Sequence, residues 1–494
     1  MAIRWILAAC RGHFAAAAAL AVFAPPALAA ASGPTDGELA DRPGDGAARD
    51  AGDDAARLTE RIPKLSTWTL QNGLEVAHMH LEGAPVATVQ LWYRVGSKDE
   101  APDRRGSAHM FEHMMFKGTE RVRPEAHARH LGELGGYVNA FTTEDVTAYH
   151  NTVPRAYMDF AVKLEAERMR SLLFRDEMVA TEREVVKEEI RQQENNPIAR
   201  GFLRLLELAY TEHPYAWTAG GHLEDLDRTT IEDLQRFYDT YYVPNNAMLI
   251  VVGDAEEAAV RASAERHFGA IERGDDPPRR ANEHPEPAQT ETRREVVEPG
   301  QVGVVLAGFH TPDARHDDVF ALSVLSSILS FGESSRLHRR LVRDEGIAVQ
   351  AASQVRILEH PGQFFLFGAY LDPDHREQVE AALLDEIDTI AEHGPSEREL
   401  EKARNQILAE LGFGLQRVTG LAEAVGMSWI RTGDPTGVFG DFRRYLQVEG
   451  EDVARVARAH LRRDNLTMVI VPTHAEAATA AQSKDRDPSR KGQR

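Results

Sequence analysis

The chain has 494 residues, 42% hydrophobic and 27% charged, which is enough apolar material for a sizeable core and too much for a disordered protein. That length allows about two to four domains. With 57 Lys and Arg against 78 Asp and Glu, the formal charge of −21 argues against a nucleic-acid partner, and a single cysteine excludes a disulfide framework or a multi-cysteine metal site.

The first 29 residues read as a secretory signal peptide. Arg4 and Arg11 lead into an apolar run from Phe14 to Phe23, a Pro25-Pro26 break and the small-residue site Ala27-Leu28-Ala29. A retained anchor is the alternative, but the uninterrupted apolar run is short of the ~20 residues that span a bilayer. Cys10 follows Leu7-Ala8-Ala9 in a lipoprotein-like spelling, yet most of the apolar run lies after it, which speaks against acylation. Export to the periplasm or beyond follows, with no stable membrane span after processing. Cleavage near Ala29 leaves no cysteine, so any zinc site must use histidine and carboxylate. Residues 30–60, rich in Ala, Gly and Asp, form a flexible acidic leader.

A first domain is expected over 61–272. Asn72-Gly73 between apolar runs signals a hairpin, Val86 to Tyr93 alternates as a strand, long helical patterns follow, and Pro244 to Gly253 closes on a strand. Residues 273–293, with Gly-Asp-Asp-Pro-Pro and His-Pro-Glu-Pro, read as a linker. A second domain over 294–474 repeats the order: a strand over 302–309, helical patterns from Val319 with a capping box at Ser396 and Glu399, and a strand over 464–472. Residues 475–494 read as a disordered tail. The fold class is α+β, with two related domains, each a mostly antiparallel sheet with helices on one face.

The chemistry concentrates in His109-Met-Phe-Glu112-His113. On a helix, two histidines four apart project one turn from each other and can share one cation. Glu112 lies close to the same face, where its carboxylate can reach a water without being a ligand. This His-x-x-Glu-His spelling is a known metallopeptidase motif, although five residues alone are only suggestive. In the helical stretch Thr181 to Arg191, Glu182 and Glu189 are seven apart on one face, which by itself fits a solvated surface equally well. Met114, Met115 and Phe116 read as core. His78, His80, His127 and His130 read as surface residues, and His150 could face a groove.

From about Leu65 to Pro472 the sequence resembles the pitrilysin/insulinase family of zinc metallopeptidases, which includes the mitochondrial processing peptidases. Beyond the motif, the resemblance rests on Glu182-Arg-Glu-Val-Val-Lys-Glu-Glu189, Gly135 to Tyr149, His213-Pro-Tyr215, Tyr241 to Asn245 and Ser334-Ser-Arg336-Leu337. It implies one Zn²⁺ per chain held by His109, His113 and Glu189, the last lying 76 residues after His113. It also implies Glu112 as general base and then acid, and Glu182 as an acid behind a ligand. The Gly135–Tyr149 region would offer a strand edge to an extended peptide, with Asn139, Ala140 and Phe141 meeting substrate and Asp145 and Thr147 pinning the strand. A clamshell chamber would form on dimerisation, and an acidic chamber would favour basic peptides.

One departure stands out. Relatives with full turnover carry an Arg and a Tyr seven apart where this chain has Val342 and Val349, with Arg343 displaced by one residue. The resemblance therefore implies a heterodimer with a paralogous subunit that carries the Arg/Tyr pair, or a homodimer in which Arg343 or another group compensates. The expected function is a zinc-dependent endopeptidase acting on peptides or unfolded polypeptide segments. A non-catalytic peptidase-like binding or structural subunit is the alternative, and a hydrolase of non-peptide substrates is the weaker rival.

Overall fold

Turn chemistry and strand alternation build two sheets. The computed structural model describes residues 64–83 and 85–485; the expected signal peptide, the leader and the last nine residues lie outside the described residues. The first sheet holds β1 (Leu65–Thr69), β2 (Glu75–His80), β3 (Val86–Tyr93), β4 (Tyr137–Thr142), β5 (Thr147–Pro154) and β6 (Ala247–Gly253), in the order β1-β2-β6-β3-β5-β4. Gly73, at φ 91°, makes the turn between β1 and β2 that the Asn-Gly pair signals. Only β2 and β6 run parallel; the other neighbours are antiparallel.

The second sheet repeats this plan without the outermost strand. It holds β7 (Arg293–Val296), β8 (Gly303–His310), β9 (Gln350–Arg356), β10 (Gln363–Tyr370) and β11 (Leu466–Val471), in the order β7-β11-β8-β10-β9. As β6 does beside β2, the last strand β11 inserts beside β7 and parallel to it. The edge strands β4 and β9 occupy equivalent places, which makes the weak sequence repeat a repeat of topology.

The helices are α1 (Ser107–Met114), α2 (Ala126–Glu133), α3 (Met158–Arg170), α4 (Asp176–Glu194), α5 (Pro197–Ala209), α6 (Ile231–Tyr241), α7 (Glu257–Phe268), α8 (Asp318–Ser330), α9 (Arg376–His393), α10 (Glu397–Gly414), α11 (Val418–Thr432), α12 (Val438–Gln447), α13 (Gly450–His460) and α14 (His474–Asp485), with shorter turns between them. One face of the first sheet packs against α1, α3, α4, α6 and α7 in a core containing Leu91, Tyr93, Phe111, Val186, Leu249 and Val251. One face of the second packs against α8, α9 and α13 around Val305, Leu325, Phe364 and Leu383.

The opposite faces are covered by exchange between the halves. Helix α11, from the second half, lays Leu421, Val425 and Trp429 on Met79, Trp92, Ile250 and Val252 of the first sheet. Helix α5, from the first half, lays Phe202, Leu205 and Leu206 on Leu306, Phe365 and Val469 of the second. Both sheets are thus buried on both sides, and β6 reads as an unbroken apolar run, and β11 as one broken only by Thr467, because alternate residues feed different cores. Gly426 makes the α11 contact possible, since a Cβ there would lie 2.4 Å from Trp92 Cε2.

Two segments differ from expectation. The tail is helical as far as Asp485, anchored where Glu476 accepts from the Thr473 amide at 2.6 Å and from the Tyr370 hydroxyl at 3.0 Å. Residues 273–293 are held at several points despite their prolines: Arg279 donates to Arg94 O at 2.8 Å, Gln289 to Leu466 O at 2.8 Å, and Glu286 accepts the amides of Thr211, Glu212 and His213. Here charged and amide side chains find backbone partners, Arg279 and Glu286 in the first half and Gln289 in the second.

Candidate active site

Helix α1 carries the motif and starts at Gly106, whose φ of 94° only glycine adopts freely. The free amides at a helix start need acceptors, and buried Glu100 accepts from two of them, Gly106 N at 2.9 Å and Ala108 N at 2.8 Å. Burial pushes the Glu100 carboxyl up to about 8 in spite of these bonds. Phe111 and Met114 point into the core and fix the helix rotation, which turns His109, Glu112 and His113 toward α4 and β4.

Glu189 on α4 meets the two histidines. Its Oε2 lies 3.6 Å from His109 Nε2 and 3.7 Å from His113 Nε2, and one ligand-type atom from each of the three residues lies within 4.8 Å of the others. The two imidazoles stand edge to face with centroids 4.9 Å apart. His109 Nε2 and Glu189 Oε2 are buried without a hydrogen-bond partner. Burial, aided by His113, lowers the His109 pKa to about 3, so its imidazole is neutral, the form that ligates a metal. Burial would lower His113 too, but the carboxylates of Glu182, Glu189 and Glu112 outweigh it and raise the net value.

Glu182, on the same face of α4 about two turns before Glu189, holds His113 from behind: its Oε2 is 3.4 Å from His113 Nδ1 and its Oε1 is 2.8 Å from Lys117 Nζ. Burial would raise the Glu182 carboxyl, and the bonds from His113 and Lys117 bring it below its ordinary value. The imidazole is thereby oriented with Nε2 toward Glu189. Glu112 is 5% exposed and accepts from Thr142 Oγ1 at 2.8 Å, which ties the motif helix to the end of β4. Burial raises its carboxyl to about 7.

Asn139, Ala140 and Phe141 lie on β4, the outer strand of its sheet, next to this cluster. Thr147 donates to Val95 O at 3.0 Å, and Asp145 accepts from the Tyr215 hydroxyl at 2.5 Å and the Glu359 amide at 3.0 Å, so both residues hold the β4–β5 hairpin in place. His150 is buried between Trp92 and Phe141, with Nδ1 3.4 Å from Glu423. His78 and His127 are corrections: both are buried, His78 against the Ala255 carbonyl at 2.8 Å and His127 against Asn151 at 3.0 Å. A single buried partner satisfies each ring, which spacing cannot reveal.

Arg343 is not brought to the site. It lies in a π-helical stretch, His338–Asp344, where Val342 takes the inward place against the core while Arg343 is exposed and pairs with Asp344 at 2.8 Å. The cleft beside His109 has a volume of about 340 Å³. Its first side is Thr142 to Asp145 and its second is Gln354 to Leu358 with Ile430 and Arg431. Across it, Arg356 pairs with Glu144, and buried Lys98 lies 3.3 Å from Asp145 and 3.1 Å from Glu359. Sequence reading missed Glu100, Lys98 and Thr142. Lys98 sits in Gly-Ser-Lys-Asp-Glu, which has the composition of a solvated turn.

The family description "Insulinase (Peptidase family M16)" matches residues 75–220, and "Peptidase M16 inactive domain" matches residues 228–407. The zinc protease PqqE of Helicobacter pylori is 31% identical over 415 residues, which is 83% of this chain and 93% of that protein. The chain belongs to peptidase family M16. Another M16 relative, an uncharacterized zinc protease of Mycobacterium tuberculosis, is 29% identical over 432 residues, 86% of this chain and 96% of that one. A solved structure of a protease from Helicobacter pylori superposes with a TM-score of 0.79 at 30% identity, covering 83% of this chain and 99% of that chain. The first half of the periplasmic protease PqqL from Escherichia coli shares the fold, with a TM-score of 0.68 at 20% identity over 84% of this chain and 93% of that one. In this M16 chain the three metal-ligand candidates all come from the first half, and the second half matches the inactive-domain description. Among the described residues no helix is long and apolar enough to cross a membrane.

Proposed function

We propose that this M16 protein is a zinc-dependent endopeptidase that hydrolyses peptides or unfolded polypeptide segments bound in extended form. The observation that carries the reading is the convergence of His109, His113 and Glu189 within 4.8 Å, with His109 Nε2 and Glu189 Oε2 buried and unpartnered. Polar atoms buried without partners are costly, and a donor set of two imidazoles and a carboxylate suits zinc with a coordination position to spare. When bound, zinc acidifies a water and polarises a peptide carbonyl.

The chain's own groups do the rest. Glu112 stands on the same helix face as both histidines, and a carboxyl raised to about 7 is suited both to take a proton from the attacking water and to return it to the leaving amine. Thr142 Oγ1 occupies Glu112 Oε2 and holds the carboxylate in place. Glu182 keeps the His113 ring oriented. The free edge of β4 offers backbone donors and acceptors to an added strand, which supports extended binding with little side-chain selectivity. The signal-like spelling of residues 1–29 supports export, and Val342 and Val349 support pairing with a paralogous subunit that carries Arg and Tyr.

Wild-type and E112Q proteins, each with and without a coexpressed paralogue, are assayed on an unfolded protein substrate. E112Q is expected to retain zinc and lose about 10²–10⁴-fold in kcat. Undiminished cleavage by E112Q overturns the assignment.

A further inference from the structure

The cleft at His109 contains a cation that forms no ion pair among the described residues. Arg431 lies in the last turn of α11 and lines the cavity from the second half, opposite His109 and Thr142. It is half-buried, and among the described residues it makes no hydrogen bond or ion pair; its nearest electrostatic influences include Asp145 and Asp441. The other charged residues of the cleft wall have ion-pair partners: Arg356 pairs with Glu144, and Asp145 shares Lys98 with Asp99 and Glu359. Arg431 is therefore the guanidinium of the cleft wall that has no ion pair among the described residues.

A guanidinium withdrawn from water without a partner is costly, and a planar fork of donors is best satisfied by a carboxylate that accepts two of its N–H groups at once. Gln354 Oε1, also buried and unpartnered, lies on the same wall and can take a peptide N–H. A cavity of about 340 Å³ is of ligand size, and Met427 and Ile430 beside Arg431 give it an apolar floor. We propose that Arg431 recognises a carboxylate of the bound peptide, either its C-terminal carboxylate or an Asp or Glu side chain. The cleft then selects for negative charge close to the reacting bond, opposite to the preference for basic peptides that the acidity of the whole chain suggests. This rests on the peptidase reading above, and it assigns a substrate-binding role to a residue four-fifths of the way along the chain from the motif helix.

The test uses one peptide sequence in three forms: free C-terminal acid with an internal Glu, the C-terminal amide with Glu, and the amide with Gln. Binding is measured by fluorescence anisotropy on zinc-loaded E112Q and E112Q/R431Q proteins, and turnover on the wild type, R431Q and R431K. Removing Arg431 is expected to raise Kd and KM about tenfold or more for forms with a carboxylate, and less than twofold for the fully neutral form, with kcat little changed. R431K, which keeps the charge but loses the fork, is expected to fall between and covers the case in which R431Q fails to fold. Loss confined to the free acid, or shared by the Glu amide, identifies which carboxylate is read. Equal effects of R431Q on all three peptides, or none, overturn the proposal. If the wild type cleaves no peptide either alone or with the coexpressed paralogue, the peptidase reading fails, while the E112Q binding series still decides whether Arg431 reads a carboxylate.

Discussion

Glu182 shows how much of the site's precision lies one residue behind the three metal-ligand candidates. Its carboxylate bridges His113 Nδ1 and Lys117 Nζ, so E182Q removes a charge-assisted acceptor and leaves the imidazole free to turn. Zinc titration into the E182Q protein is expected to show affinity lowered about 10–100-fold, with thermal stability of the zinc-free protein close to wild type. Equal zinc affinity would show that Glu182 serves Lys117 alone. His109, His113 and Glu112 were legible in the sequence because they are neighbours on one helix, where spacing fixes geometry. Glu189 was legible only through resemblance, since a Glu-rich helix face looks the same whether it faces water or a cation. Thr142, Glu100 and Arg431 were not legible, because their roles depend on where separate segments meet. Arg343, by contrast, looked promising by its position in the chain and lies on the exposed side of a π-helical turn.

At the level of elements, the helix that covers the first sheet comes from the other half of the chain, and Gly426 sets how closely it approaches. With a Cβ there only 2.4 Å from Trp92 Cε2, G426A must push α11 off the sheet or force the indole from its place. Chemical denaturation is expected to show G426A less stable by about 1–3 kcal/mol, and Arg431, six residues beyond the contact's centre at most, is carried with the helix. A G426A protein as stable as the wild type would mean that the α11 contact is looser than described. The sequence showed that β3, β6, β8 and β11 are strands and that Ser396 and Glu399 cap a helix, since these follow from local pattern. It did not show that α5 and α11 are exchanged between halves, because an apolar helix face does not name the sheet it covers. The helical start of the tail was hidden for a related reason: its Ala-rich sequence gains a fixed start from Glu476, whose partners Tyr370 and Arg376 lie far back in the chain.

For the whole molecule, the two halves are joined above the cleft by a buried charge cluster. Lys98 meets Asp145 from its own half and Glu359 from the other, at 3.3 and 3.1 Å, while Asp145 also accepts the Glu359 amide. Burial alone would depress the Lys98 pKa, but Asp99, Asp145 and Glu359 together raise it, so the ammonium is firmly charged. K98M leaves buried carboxylates without their cation and is expected to cost about 3–5 kcal/mol in urea denaturation, with weaker peptide cleavage because the wall carrying Arg356 and Arg431 is no longer held against β4. Stability and cleavage unchanged in K98M would show that the halves are held together by their apolar faces alone. Length and charge allowed an acidic protein of two to four domains, and the repeat suggested two related folds, yet the contact between the domains had no signature in either. The central claim is that His109, His113 and Glu189 hold the one zinc on which peptide cleavage depends. The most direct test strips the metal with a chelator, adds zinc back stepwise, and measures cleavage against zinc bound per chain, with the partner subunit present if the assay needs it. Cleavage rising in proportion to a plateau at about one zinc per chain, and absent throughout in E189Q, is the predicted result; a stripped protein or an E189Q protein that cleaves as fast as the reloaded wild type would contradict it.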